Sequence, residues 1–311
     1  MDDKDRKIEE FFKWIVERTR IQQKKDQGDP WPWTEDKILQ EFKFTNAFRE
    51  KDNTTVWFRK NIRDPLKSEP EVYMATVIFR WFNLIKTGET LLEHNLHIDW
   101  DPEKAYQIII PLDKWITGAY MVKSPTGKNK VRGVCETITT VWNDRKKFLG
   151  KHPFPSLQNM CTFLEGYPFL GPFLAYELVT DLRHTYLGWD APDINTWANA
   201  GPGAMRGLNR IHDRPLDFTS KRHDWCSERR ELLKGHHFYM AILFGEDIDL
   251  EMRDIEHSLC EFDKYERVRL GQGKPRSKYT YKAPPLSEEE LGIVTAKERR
   301  QWLDPKNKEV K

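Results

Sequence analysis

The chain has 311 residues, with 51 Lys and Arg against 49 Asp and Glu, a formal net charge of +2 and 38% hydrophobic residues. That length suffices for one large domain or two lobes with a sizeable core, and the near balance of charge means that any nucleic-acid contact must come from local clusters. Cys135, Cys161, Cys226 and Cys260 lie too far apart for a metal knuckle or an iron-sulfur run, and no stretch approaches the ~20 apolar residues of a membrane span, so the reading is a cytoplasmic protein with reduced thiols, no membrane association, no metal and no cofactor.

Ile8, Phe11, Phe12 and Ile15 recur at helical spacing and predict an amphipathic first helix that stops at Gly28. "DPWPWTEDKILQEF" follows, where Thr34 resembles an N-cap ahead of Glu35 and Asp36. In "FTNAFREKD" the spacing of Asn46, Arg49 and Asp52 puts three polar side chains on one face of a Phe-rich helix, either a site or a buried network. "PEVYMATVIFRWFNLIKTG" and "GVCETITTVWNDRKKFLG" read as helices ended by Gly88 and Gly150, whereas "YQIIIPL", interrupted by Pro111, is the best strand candidate in a mostly α chain. "FLEGYPFLGPFLAYELVTDL", residues 163–182, joins an apolar stretch to a helix striped by Leu174, Leu178 and Leu182 through a turn holding Pro168 and Gly171. "LGWDAPDINTWANAGPGAMRGLNR" then carries Asp190 and Asp193, each a candidate N-cap or a candidate acid, and a bend of Gly201, Gly203 and Gly207 around Arg206. That bend lacks the Lys-Ser/Thr ending of a P-loop, and nothing else looks like an ATP site. His236 and His237 have no partner at metal-ligand spacing. Residues 264–282 hold seven Lys or Arg against one Glu and read as a basic arm; residues 283–311 read as a polar tail with at most one short helix.

A helix start leaves backbone N–H groups unpaired at the positive end of the macrodipole, which suits a phosphate. "YPFLGPFLAYEL" resembles the helix-hairpin-helix motif of DNA glycosylases: Gly171 matches the glycine opening the second helix and Ala175 the alanine after it, while Phe169 stands where the motif usually has glycine. In that superfamily a catalytic aspartate follows the hairpin at the start of the next helix, a place that Asp193 matches best and Asp190 second. Together with "PWTEDKILQEFKFTNAFREKDNTTVWF", "GPGAMRGLNR" and "DIEHSLCEFDKYERVRLGQGKPR", the chain is similar to the α-glutamyl/putrescinyl thymine pyrophosphorylase family over most of residues 8–280.

The resemblance implies a mostly α, two-lobed helix-hairpin-helix DNA glycosylase-like fold, with residues 1–150 and about 215–263 in one lobe and about 151–214 in the other. It implies a partner, double-stranded DNA carrying modified bases, in a phage or anti-phage setting. The activity favoured is flipping and hydrolytic excision of a 5-modified pyrimidine, with Asp193 (or Asp190) stabilising the sugar cation; no Lys stands beside Gly171 to act as a nucleophile. The alternatives are amine transfer onto a 5-pyrophosphomethyl uracil and a catalytically silent binding module. Trp31, Trp33, Asn46, Phe48, Arg49, Asp52 and Arg206 are the expected substrate-binding residues, the aromatics having core packing as their competing role. Gly171, Gly203, Lys264, Arg267, Arg269, Lys274 and Arg276 are the expected DNA contacts.

Overall fold

The computed structural model describes residues 3–118, 122–125, 127, 129–245 and 248–280. These form helices α1 (Asp3–Asp26), α2 (Lys37–Glu41), α3 (Asn53–Phe58), α4 (Glu71–Phe82), α5 (Ile85–Glu93), α6 (Pro102–Ile109) and α7 (Lys130–Asn143). They continue with α8 (Arg145–Leu149), α9 (Leu157–Glu165), α10 (Pro172–Leu182), α11 (Pro202–Ile211), α12 (Trp225–Phe244) and α13 (Met252–Arg269). The fold is mostly α; among the described residues the only β pairing is an isolated antiparallel bridge between Phe42 and Lys278.

Local chemistry sets most boundaries. α1 carries acids in its first turn and Lys24 and Lys25 in its last, buries Phe11, Phe12 and Ile15 completely, and stops before Gly28, whose φ of 77° favours glycine. The cap of α2 is Asp36 rather than Thr34: its Oδ1 accepts from the amides of Ile38 at 2.8 Å and Leu39 at 3.1 Å, while the Thr34 hydroxyl donates to Glu17. α4 ends at Asn83 in the left-handed region, not at Gly88. Gly88 lies inside α5, where an added Cβ would come within 2.5 Å of the Trp57 ring and 2.8 Å of Phe79. The expected strand "YQIIIPL" is largely helix α6, because Asp101 caps its first turn with Pro102 at the opening position, a start signal that outweighs the apolar run. Gly150 does close the helical stretch it was expected to end, as the C-cap of α8 after a break at Asp144.

Two compact units emerge, one of described residues within 1–52 and 194–299, the other within 53–193. The division departs from the lobes expected from sequence: residues 53–150 belong with the hairpin, and 194–214 with the chain's first and last helices. The reason lies in α4, whose residues from Val72 to Phe82 are all buried and which packs against α10 and its wholly or nearly buried Leu174, Leu178 and Leu182. Inside that contact Arg80 forks onto Asp181, Nε to Oδ2 at 2.6 Å and Nη2 to Oδ1 at 3.0 Å, with Asn83 and Thr55 taking its other N–H groups. In the other unit α1 meets α13 through Phe11 and Phe262, edge to face at 5.5 Å, and α12 through Phe12 and Tyr239, stacked at 4.7 Å.

Candidate nucleic-acid interface

Where the hairpin was expected, two helices meet at a turn. α9 closes on Gly166, residues 167–170 turn, and α10 opens at Gly171 with no side-chain cap and Pro172 in its first turn. Gly171 is extended (φ −74°, ψ 176°) and a Cβ there would meet nothing within 4 Å, so neither backbone nor packing requires glycine. Asp193 does not stand at a helix start; it lies in a turn well before α11. Its carboxylate instead accepts from the first amides of α9, Leu157 N–H to Oδ1 at 2.8 Å and Gln158 N–H to Oδ2 at 3.0 Å. It thereby caps a helix that begins 36 residues earlier. Asp190 is exposed.

The strongest cationic constellation lies where α11 crosses α13. Asp263, fully buried on α13, receives Arg206 Nε on Oδ2 and Arg210 Nε on Oδ1, each at 2.9 Å, and Arg267 Nε lies 3.4 Å from Oδ2. Arg206 and Arg210 are one helical turn apart, so a single carboxylate reaches both. Two glycines on the same helix allow this approach: a Cβ at Gly203 would lie 2.3 Å from Cys260 Sγ, and one at Gly207 2.4 Å from the Leu259 carbonyl oxygen. Gly203, expected to touch DNA, therefore serves helix packing. Three guanidiniums on one acid leave the cluster cationic. Arg206 and Arg267 keep over a third of their side chains exposed while their Nε atoms are held from behind, an arrangement that presents N–H forks to phosphate oxygens. The sequence pointed to Arg206 and Arg267; it missed Asp263 and Arg210, although the paired glycines and paired arginines at four-residue spacing were the available signal.

The basic arm is largely not an arm. Lys264, Arg267 and Arg269 occupy the last turns of α13, with Lys264 bonded to Glu261 at 2.7 Å and Arg269 forked onto Glu266 at 2.6 and 2.7 Å. Beyond the helix, residues 277–279 pair with 41–43 through Lys43 N–H to Ser277 O at 3.1 Å and Tyr279 N–H to Glu41 O at 2.8 Å. Lys274 and Arg276 are exposed. Lys282 and the expected polar tail lie outside the described residues.

Asn46, Arg49 and Asp52 do not share a helix face, because Arg49–Lys51 is a single 3₁₀ turn. Asn46 and Asp52 nevertheless meet: Asp52 Oδ1 accepts from the Asn46 backbone at 2.9 Å and from its amide at 3.2 Å. Next to them Thr45 donates its N–H to Glu261 at 2.9 Å, its hydroxyl lies 2.8 Å from His257 Nε2, and Arg18 binds its carbonyl at 3.1 Å. Desolvation pushes the half-buried Asp52 carboxyl above its ordinary value, against the opposing pull of His257, the Asn46 amide and Arg49. Burial acts in the same direction on Glu261, but Lys264 and His257 outweigh it and hold that acid low. Arg18, His257 and Glu261 were not legible as site residues, since they come from α1 and α13. The expected pocket aromatics are mainly core: Trp33 and Phe48 are 3% and 6% exposed, and Trp31 stacks on Tyr279 at 5.3 Å.

Two other places invite a ligand reading. His236, His237 and Asp249 bring potential metal-ligand atoms within 4.8 Å of one another, yet His236 Nδ1–H donates to the Leu233 carbonyl and Nε2 accepts from the Leu250 amide at 3.2 Å, so both its nitrogens are engaged. A cleft of about 480 Å³ in the same unit is lined by Trp14, Glu17, Asp36, Tyr265, Glu266 and Arg269 among others. Its carboxylates suit phosphate poorly, and of the expected site residues only Arg269 reaches it. No described helix is long and apolar enough to cross a membrane.

Fold and site together define a helical domain with an acid-braced arginine cluster facing outward. The chain belongs to the family described as 5-hmdU DNA kinase, helical domain, which matches residues 6–274. It is similar to a 5-hmdU DNA kinase of Bacillus phage SP10, with 24% identity over 290 residues covering 82% of this chain and 44% of the relative; the chain thus spans less than half that protein's length. No solved structure matches. The family differs from the pyrophosphorylase family that the sequence motifs resemble, and the relative's named activity is that of a kinase, neither base excision nor amine transfer.

Proposed function

We propose that this chain binds DNA containing 5-hydroxymethyldeoxyuridine and serves phosphorylation of the hydroxymethyl group. The observation that carries the reading is the family match across residues 6–274, which takes in both the Asp263 arginine cluster and the Asp52 centre. Arg206 and Arg267 hold backbone phosphate, with Arg210 bracing Asp263 behind them, a contact that positions the duplex without reading its sequence. Asp52 reads the base. A carboxylate accepts a hydrogen bond from the 5-hydroxymethyl O–H, whereas the methyl of thymidine would leave that acid desolvated and unrewarded. The sequence offers no recognisable ATP site, so the nucleoside triphosphate is supplied by a separate nucleotide-binding part: the hydroxyl oxygen attacks its terminal phosphorus, the diphosphate departs, and Asp52 takes the proton, a role that its raised affinity for protons favours.

The test is fluorescence anisotropy with matched duplexes containing either 5-hydroxymethyldeoxyuridine or thymidine. Wild type is expected to prefer the hydroxymethyl duplex by on the order of ten-fold, and Asp52→Ala to lose the preference while keeping thymidine-duplex affinity. Equal affinity of wild type for both duplexes would sink the assignment of Asp52.

A further inference from the structure

The turn between α9 and α10 has a property that a phosphate contact does not account for. Phe169, at its tip, adopts a φ of 63° and is 41% exposed. A bulky aromatic in the left-handed region is a costly backbone choice, and here it delivers a ring to solvent rather than to the core. Phe173, in the first turn of α10, is 54% exposed. The turn is not loose: Leu170 beside it is fully buried, and the Tyr167 hydroxyl donates to Asp144 at 2.9 Å.

That last bond fastens the turn to α8. The fully buried Phe148 of α8 packs against Tyr73 at 3.7 Å and against Phe163 of α9 at 5.7 Å. On the solvent side of the same short helix, Lys146, Lys147 and the following Lys151 are all exposed; Lys147 reaches over the Phe163 ring at 5.9 Å and pairs at 3.5 Å with the Asp144 carboxylate that receives Tyr167. An exposed aromatic at the tip of a braced turn and a lysine at the foot of that turn thus belong to the same part of the 53–193 unit. Exposed rings beside cations suit a nucleic acid, the partner already proposed for this chain, whose base steps accept an apolar wedge while its phosphates lie on either side.

We infer that this hairpin is a DNA wedge, in which Phe169 enters between stacked bases while Lys146, Lys147 and Lys151 hold the neighbouring phosphates. The inference rests on the proposed DNA function and extends it: a 5-substituent already projects into the major groove, so the wedge is a device for unstacking the target base rather than merely reaching it.

The test uses duplexes carrying 2-aminopurine next to either 5-hydroxymethyldeoxyuridine or thymidine, since 2-aminopurine brightens when unstacked. Saturating wild type is expected to raise the fluorescence several-fold. Phe169→Gly relieves the left-handed strain and so keeps the fold, which an unchanged melting temperature verifies. It is expected to abolish the rise and to weaken binding about ten-fold. Lys146→Gln with Lys147→Gln is expected to weaken binding in a salt-dependent way and leave the rise intact at saturation. A full rise with Phe169→Gly would overturn the wedge. A Phe169-dependent rise with equal affinity for the two duplexes would uphold the wedge and sink the base assignment, whereas no binding of either duplex would sink both.

Discussion

Asp52 is the residue at which function and stability pull apart. Its carboxyl binds protons more tightly in the folded chain than in the unfolded one, so between the unfolded and folded values the native state carries the extra proton and stability falls as pH rises through that window. Asp52→Asn, which keeps an oxygen for the Asn46 donors, is therefore expected to raise the melting temperature at pH 7 by on the order of a few degrees, and the gap to wild type is expected to close towards pH 4. A variant less stable than wild type at pH 7 would refute this. Glu228 has the opposite sign. Burial works to raise its value, but the Arg214 fork at 2.6 and 2.7 Å with His212 and His223 holds it below the ordinary carboxylate range. Its contribution is present above the unfolded value and lost as pH falls through the folded one, so Glu228→Gln is expected to flatten the loss of stability on acidification below about pH 4.5 in circular-dichroism melts.

At the level of elements, two glycines that look alike in sequence have unlike duties. Gly207→Ala drives a methyl into the Leu259 carbonyl and is expected to cost about 2–3 kcal/mol in denaturant unfolding. Gly171→Val points into open space and is expected to lower affinity for all duplexes alike with little change in unfolding; if Gly171→Val leaves DNA affinity untouched, the corner is only a bend. The turn and the helix after it were readable because their signals are local: a leucine stripe, a Pro and a Gly in the right order. The place of Asp193 at the start of the next helix was misread because its partners, the α9 amides, are distant in sequence, and no local pattern distinguishes a carboxylate that caps the next helix from one that caps an earlier helix. The strand expected around "YQIIIPL" failed for the complementary reason, since a short apolar run has no period of its own and the upstream Asp101-Pro102 start decides it.

Across the whole molecule, a net charge of +2 conceals local cationic faces, one around Arg206 and Arg267 and one around Lys146 and Lys147. Removing one arginine that neutralises a phosphate is expected to reduce the slope of log affinity against log salt by about 0.9, so Arg206→Gln with Arg267→Gln is expected to remove about 1.8. An unaltered slope would leave those arginines as packing groups. The mostly α class was legible from periodicity and the scarcity of alternating patterns. The grouping of segments was not, because it depends on which apolar faces meet: α4, buried from Val72 to Phe82, chooses α10, and α11 chooses α13 through glycines whose purpose shows only in the packed helices.

The unit that holds α1 is assembled from two stretches separated by residues 53–193. During synthesis the intervening unit is complete as soon as its own residues have emerged, whereas α1 must wait, with Phe11, Phe12 and Ile15 uncovered, until α11 and α13 are made. Closing so long a gap costs only about (3/2)RT ln n in chain entropy, so the delay is one of timing rather than of stability. The waiting helix is an apolar face that a ribosome-associated chaperone would cover in the interval.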